Sequence, residues 1–264
     1  MLGSTFYHET VRKCVIGFGT LFNDIHITRK DSSGNTVQSM KVPLAYGPKQ
    51  KFLVRLREDP NITKSVAITL PRIGFEIGTI AYDPTRKLNK IQKVKKPGTA
   101  GNKVDSQYMP VPYNIDFELY AMSKNSDDAL QIVEQILPYF QPEYTITIND
   151  IVQMNNKRDV PIILTGITYE DNYEGDFAER RAIIYTLSFT AKAYLYGPVT
   201  SGQVITKVQV DQFSDSATAA PKREQRFTVT PDPATADFDD DFGFNETSSF
   251  FPDAKAYNPT TGQA

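Results

Sequence analysis

The spacing of apolar and polar side chains divides the chain into a patterned stretch of about 200 residues and a remainder with little periodicity. Tyr7, Val11, Cys14, Val15, Phe18 and Phe22 step by three and four, which predicts a helix over 5–22 with one apolar face. Ser4 or Thr5 would cap it, and Gly17 and Gly19 weaken its last turn. Two strands are predicted next, Ile25–Lys30 and Val37–Pro43, joined through a turn at Gly34-Asn35. Pro48–Arg57 reads as a short helix with Phe52, Leu53 and Leu56 inward and Pro48 in its first turn. Ile73–Tyr82 reads as a strand.

The clearest period of two begins at Tyr113. Tyr113, Ile115, Phe117, Leu119 and Ala121 alternate with Asn114, Asp116, Glu118 and Tyr120, which predicts a sheet with one buried face and one wet or partner-facing side. Ser126–Leu137 has the strongest helical pattern. Asn125 or Ser126 would cap it, Asp127 and Asp128 complement the positive end of its dipole, and Pro138 stops it. Strands are predicted again at Tyr144–Ile148, Val160–Tyr169 and Arg181–Tyr196, the last with Ile183, Tyr185, Leu187, Phe189, Ala191, Ala193 and Leu195 on one face. This order predicts an α+β body over 1–199, an antiparallel or mixed sheet with helices packed on one face. Residues 200–264, rich in Ser, Thr, Ala, Pro and Asp, read as an extended tail with little core of its own.

Composition narrows the function. The 264 residues are 40% hydrophobic and 23% charged, as in a folded soluble protein, and no apolar run is long enough to cross a bilayer. Net charge is −2, but unevenly placed: residues 1–200 carry 24 basic and 21 acidic side chains, residues 201–264 carry 5 and 10. A single cysteine, Cys14, cannot form an internal disulfide, and its place on the first helix's apolar face predicts a buried, inert thiol. The two histidines, His8 and His26, have no evident partners for nucleophilic or zinc chemistry. Gly17-Phe18-Gly19 follows a predicted helix where a dinucleotide loop must follow a strand, and no phosphate loop or nucleophile elbow occurs. Asp237, Asp239 and Asp241 alternate as in some calcium loops, but the downstream ligand pattern is wrong. The sequence thus predicts a protein without enzymatic activity, cofactor or metal.

Two segments point to partners. Thr85–Val104 holds Arg86, Lys87, Lys90, Lys93, Lys95, Lys96 and Lys103 and no acid. It reads as a projecting arm: a solvated charged loop, a docking arm for an acidic protein surface, or a contact for nucleic-acid phosphates. Asp237–Phe251 alternates acids with phenylalanines, notably Phe238, Asp239, Asp240, Asp241, Phe242 and Phe244. It reads either as a disordered acidic tail or as a linear motif whose phenylalanines fill a neighbour's pockets. The opposite charges of arm and tail make them candidates for each other, within one chain or between copies.

Seven blocks, in order and spacing, resemble the tail completion and sheath-stabiliser proteins of T-even-type contractile-tailed bacteriophages. They are FYHETVRK at 6–13, GTLFNDIHITR at 19–29, VPLAYGPKQKFLVRL at 42–56, TLPRIGFEI at 69–77, SQYMPVPYNIDFELY at 106–120, QIVEQILPYFQP at 131–142 and ERRAIIYTLSFTAKAYLYGPV at 179–199. None is a chemical motif; collinearity carries the resemblance, which covers residues 1–199. It implies a tail-terminator-like fold and a structural virion protein made in the host cytoplasm. It further implies a homo-hexameric ring at the head-proximal end of the tail. That ring would cap the sheath, touch the tail-tube terminator and present a surface to neck and head-completion proteins, with genomic DNA passing through. No membrane is involved. The alternative is a DNA-binding packaging or accessory protein that uses the basic arm.

Overall fold

The computed structural model describes residues 5–57, 70–98, 103–151, 154, 156–172, 182–213, 223–237 and 239–251. The chain separates into two units. One comprises Met1–Asn89 and Pro110–Tyr196; the other comprises Lys90–Met109 and Gly197–Ala264.

The first unit is built on a six-stranded mixed sheet. Its strands are β3 (Leu44–Tyr46), β4 (Arg72–Tyr82), β7 (Val111–Ser123), β8 (Glu143–Ile151), β9 (Asn156–Asn172) and β10 (Ala182–Leu195), in the order β3-β4-β7-β10-β9-β8. Only β3 and β4 run parallel. The central pair, β7 and β10, stays in register from Val111↔Leu195 to Ser123↔Ile183 without interruption. Alternation explains this: Ile115, Phe117, Leu119 and Ala121 of β7 are buried beside Leu187, Phe189, Ala191 and Ala193 of β10, and slipping by one residue would put all of them on the wrong face.

Two helices cover that face. α1 (Thr10–Leu21) contributes Cys14 and Phe18, with Phe22 just beyond its end, and α3 (Ser126–Ile136) contributes Ile132 and Ile136. Cys14 lies in the core as its position on the stripe predicts. α1 starts later than its pattern, after Glu9 at φ 59°, because Phe6 and Tyr7 are exposed and gain nothing from helical continuation. Its last turn tolerates Gly19 because a Cβ there would lie 2.9 Å from the Phe75 ring; the missing side chain lets helix and sheet approach. Phe18 sits at the centre of an aromatic cluster, stacked on Phe117 at 4.5 Å and packed against Phe22, Phe75 and Phe189.

A hairpin of β1 (His26–Lys30) and β2 (Thr36–Lys41) turns through Asp31–Asn35, where the Asp31 carboxylate accepts from the Ser33 and Asn35 amides. α3 completes the outer edge of β1. Gln131 exchanges hydrogen bonds with the Thr28 amide and carbonyl, Gln135 donates to the His26 carbonyl, and Arg29 pairs with the buried Asp128 at 2.6 Å. The i, i+4 spacing of the two glutamines puts both on the face that meets the strand. An edge that would otherwise invite a foreign strand is thereby closed.

The third helix corrects the expectation that helices lie on one face only. α2 (Lys49–Arg57) covers the opposite side of the sheet, where Phe52 packs with Tyr120, Met122 and Ile184. Tyr120 and Met122 are on β7's even-numbered side, so this strand is buried on both faces near its end. The Tyr120 hydroxyl reaches Glu118 at 2.6 Å and also Glu76, and burial together with these carboxylates raises its pKa well above the ordinary phenol value. Glu76 and Glu118 are directly opposed across β4 and β7, a repulsive arrangement that the shared phenol proton relieves.

Gly74 of β4 provides the seat for α2. A Cβ there would lie 2.7 Å from a carbon of the Phe52 ring. Gly74→Ala is therefore expected to displace α2 and to cost about 1–3 kcal/mol through overpacking. Pairing it with Phe52→Leu should return part of that loss in a thermal-melting double-mutant cycle. Additive losses would show that the two positions do not compete for the same space.

The second unit contains two further sheets. In one, β5 (Lys93–Pro97) pairs with β6 (Lys103–Tyr108), which pairs with β11 (Thr200–Gln203). In the other, β13 (Arg223–Asp232) lies between β12 (Val208–Phe213) and β14 (Gly243–Phe250). The stretch beyond residue 200, in which no elements were predicted, thus carries four strands. Their local patterns are short, and pairing, not burial, defines them. No hydrophobic side chain of this unit is buried among the described residues. Among those residues, too, no helix is long and apolar enough to cross a membrane.

Candidate docking surfaces

The basic segment divides between two environments. Arg86 ends a 3-10 turn, Pro84–Arg86, and belongs to an internal clamp in the first unit. Its Nε donates to Asp83 at 2.8 Å and its Nη2 to Asn114 Oδ1 at 2.7 Å, and its guanidinium lies over the Tyr194 ring. Hydrogen bonds from Thr85 and then from Arg86 hold the Asp83 carboxyl well below the usual carboxylate range. Lys87 follows as an exposed side chain at the end of the turn.

The remaining lysines belong to the second unit. Lys90 is exposed just before β5, and Lys93 and Lys95 are exposed on β5 itself. Lys93 lies over the Tyr108 ring at 4.4 Å. Lys96 is half-buried and sits opposite Asp105 in the ladder. The arm is therefore a strand of a three-stranded sheet, and its cations are spaced by the pleat. Between them Ile91 projects with its side chain 85% exposed.

Of the described acidic and aromatic positions, Asp239, Asp240, Asp241 and Phe242 lie between β13 and β14, and Phe244 is in β14. Phe238 falls outside the described residues. Asp239, Asp240 and Asp241 are exposed in a tight turn, where the Asp240 carboxylate accepts from the Asp237 amide at 2.7 Å. Phe242 and Phe244 form an edge-to-face pair, ring centres 5.5 Å apart. Both line a groove of about 190 Å³ with Ile205, Val208, Val229 and Pro231. Asp237 also lines it, and its Oδ1 is buried with no hydrogen-bond partner among the described residues.

The sheet behind this groove has two unlike faces. Ladder register puts Val208, Val210, Phe227, Val229, Phe244 and Phe250 on one side. Asp211 and Arg226 are on the other, joined by a two-point ion pair with distances of 2.6 and 2.8 Å. Chiefly because Arg226 donates to it, the Asp211 carboxyl titrates below its ordinary value. Among the described residues no helix covers the apolar side. Val208, Val210, Phe244 and Phe250 are each about half exposed or more. Glu246 and Ser248 share this side and separate Phe250 from Phe244, so the apolar surface is concentrated around Val208, Val229 and Phe244. Exposed apolar surface of this kind marks contact with another molecule.

The groove's β12 and β13 residues were not anticipated from sequence. Their signal is the alternation of Val208 with Val210 and of Phe227 with Val229, too short to stand out among neighbouring Thr, Gln and Pro. Chemically, these surfaces offer cations, carboxylates and apolar sockets, the means of recognition.

Comparison with known proteins agrees with a role in contact. The sequence model of the T4-like virus Myoviridae tail sheath stabiliser family matches residues 5–255. Tail completion protein gp15 of Enterobacteria phage T4 is 31% identical over 232 residues, which are 84% of this chain and 83% of the relative. The family match continues well past residue 199, where the resembling blocks stop, and takes in the sheet of β12 to β14.

Proposed function

The chain belongs to the T4-like Myoviridae tail sheath stabiliser family, and on that premise we propose that it forms a six-membered ring closing the head-proximal end of a contractile tail. It is a structural tail protein of the virion. In the proposed ring, each copy holds the last layer of sheath, meets the tail-tube terminator and offers a surface to the neck proteins of the head. The observation that carries this reading is the family match over nearly the whole chain.

Two physical features support it. The first unit has a continuous buried core on one face of its sheet and a second, smaller cluster under α2 on the other, a packed body suited to bearing the load of contraction. The second unit has exposed apolar surface and no buried hydrophobic core of its own among the described residues, as expected of a part completed by neighbours. The ring would act mechanically. It holds the extended sheath at its end and keeps head and tail joined while the sheath, which stores the energy, contracts.

Electron microscopy of the purified protein, alone and added to tails lacking it, tests the proposal. The expected image is a six-fold annulus at one end of the tail only. Binding along the tail shaft, or at the baseplate end, would overturn it.

A further inference from the structure

We propose that the basic strand of one copy docks into the apolar groove of the next, with Ile91 as its anchor and the Asp239–Asp241 turn as its counter-charge. The proposal rests on the ring reading above and specifies the contact that would close it.

Three observations meet here. Ile91 is a large apolar side chain presented almost wholly to solvent, with Lys90 and Lys93 close on either side. The groove is an apolar socket of about 190 Å³, large enough for an isoleucine side chain, lined by Ile205, Val208, Val229, Phe242 and Phe244. Asp237 and Lys207 both belong to the lining, the exposed Asp239, Asp240 and Asp241 immediately precede the lining residue Phe242, and the Oδ1 of Asp237 is buried without a donor among the described residues. A knob flanked by cations thus matches a socket whose surround is acidic on balance, with Asp237, Asp239, Asp240 and Asp241 against the single lining cation Lys207. A lysine brought in by the knob would supply the proton donor that Asp237 lacks.

The occupant is a second copy. Ile91 does not enter the groove of its own chain, since its side chain is exposed. Knob and socket are different patches, so the contact is head-to-tail, the type that closes into rings when the rotation fits. A desolvated apolar anchor ringed by complementary charge is also the usual composition of an interface hot spot.

The test uses the full-length chain and two variants, Ile91→Glu and Phe244→Glu, with sedimentation and light scattering as readouts and circular dichroism to confirm folding. Each variant alone is expected to lose self-association by about 30-fold or more, the scale of a hot-spot truncation. Mixed in equal amounts, they should form a one-to-one dimer and stop there, because only one of the two possible contacts is intact. If either variant assembles into the same annuli as wild type, the contact is wrong and the ring reading stands. If wild type neither self-associates nor forms an annulus on tails, the ring reading falls and the contact with it. Should Phe244→Glu not fold, charge reversal gives the same decision. K90E/K93E and D239K/D241K should each fail alone and should assemble as a mixture of alternating copies; failure of the folded mixture overturns the proposal.

Discussion

Phe18→Ala is expected to lower the stability of the first unit by about 3–5 kcal/mol, the range for emptying a fully enclosed aromatic site. Phe18 has no solvent exposure. Its ring stacks on Phe117 of β7 with planes 9° apart and meets Phe75 of β4 and Phe189 of β10, so one side chain joins α1 to three strands. Two things fail together on truncation: the transfer of the ring out of water, and the packing of the four other rings, Phe22, Phe75, Phe117 and Phe189, that line the resulting cavity. The surroundings cannot collapse to fill it, because β7 and β10 are held by an unbroken ladder. Denaturant unfolding followed by near-ultraviolet circular dichroism measures the loss; tyrosine and phenylalanine supply the signal in a chain without tryptophan. The dependence on denaturant should be unchanged, since the same surface is exposed on unfolding. A loss under about 1 kcal/mol would mean that the cluster is not the keystone of this core.

Phe18 was legible in the sequence, and so was the centre of the fold. The apolar stripe of α1, the period of two in β7 and β10 and the capped stripe of α3 are strong because each element buries a single continuous face. Legibility fell where burial is two-sided or absent. Tyr120 sits among the positions expected to be wet, yet α2 buries it together with Met122; the relevant sign was apolar residues on both parities at one end of the strand. β5 carries lysine at 93, 95 and 96, on both faces of the pleat, and so shows no alternation at all. β11 exists only because Thr200 meets Ser106, 94 residues earlier in the chain, a pairing that no local pattern encodes. The candidate surfaces were read as charge runs, which composition reveals. Their geometry was not readable: Arg86 turned inward onto Asp83 and Asn114 while its neighbouring lysines turned outward, and both choices depend on long-range packing.

Asp211→Ala should loosen the sheet that forms the groove while leaving the body intact. That sheet has no helix over it and contributes no buried hydrophobic side chain among the described residues, so its polar face carries an unusual share of its stability. Asp211 on β12 receives both arms of Arg226 on β13, and Arg223 stands 3.8 Å away, itself nearly buried and lying over the Phe251 ring. Removing the carboxylate leaves two arginines together without their shared counter-charge. A fully buried pair broken in this way costs about 3–5 kcal/mol, and the partial exposure of Asp211 and Arg226 reduces the expectation to about 2–4 kcal/mol. For three short strands that is enough to open the sheet. Hydrogen exchange should show lost protection in β12, β13 and β14 and unchanged protection in β7 and β10. Acid should act in the same direction. The folded-state pKa of Asp211 lies below its unfolded value, so its contribution is complete above the unfolded value of about 4 and disappears as pH falls through the lower folded one. Assembly through the groove should then fail at a pH where the first unit remains folded, and Asp211→Asn should fail at every pH. Equal loss of protection in both units would show that the sheet does not open independently, and an unchanged exchange pattern would show that the ion pair does not hold it together.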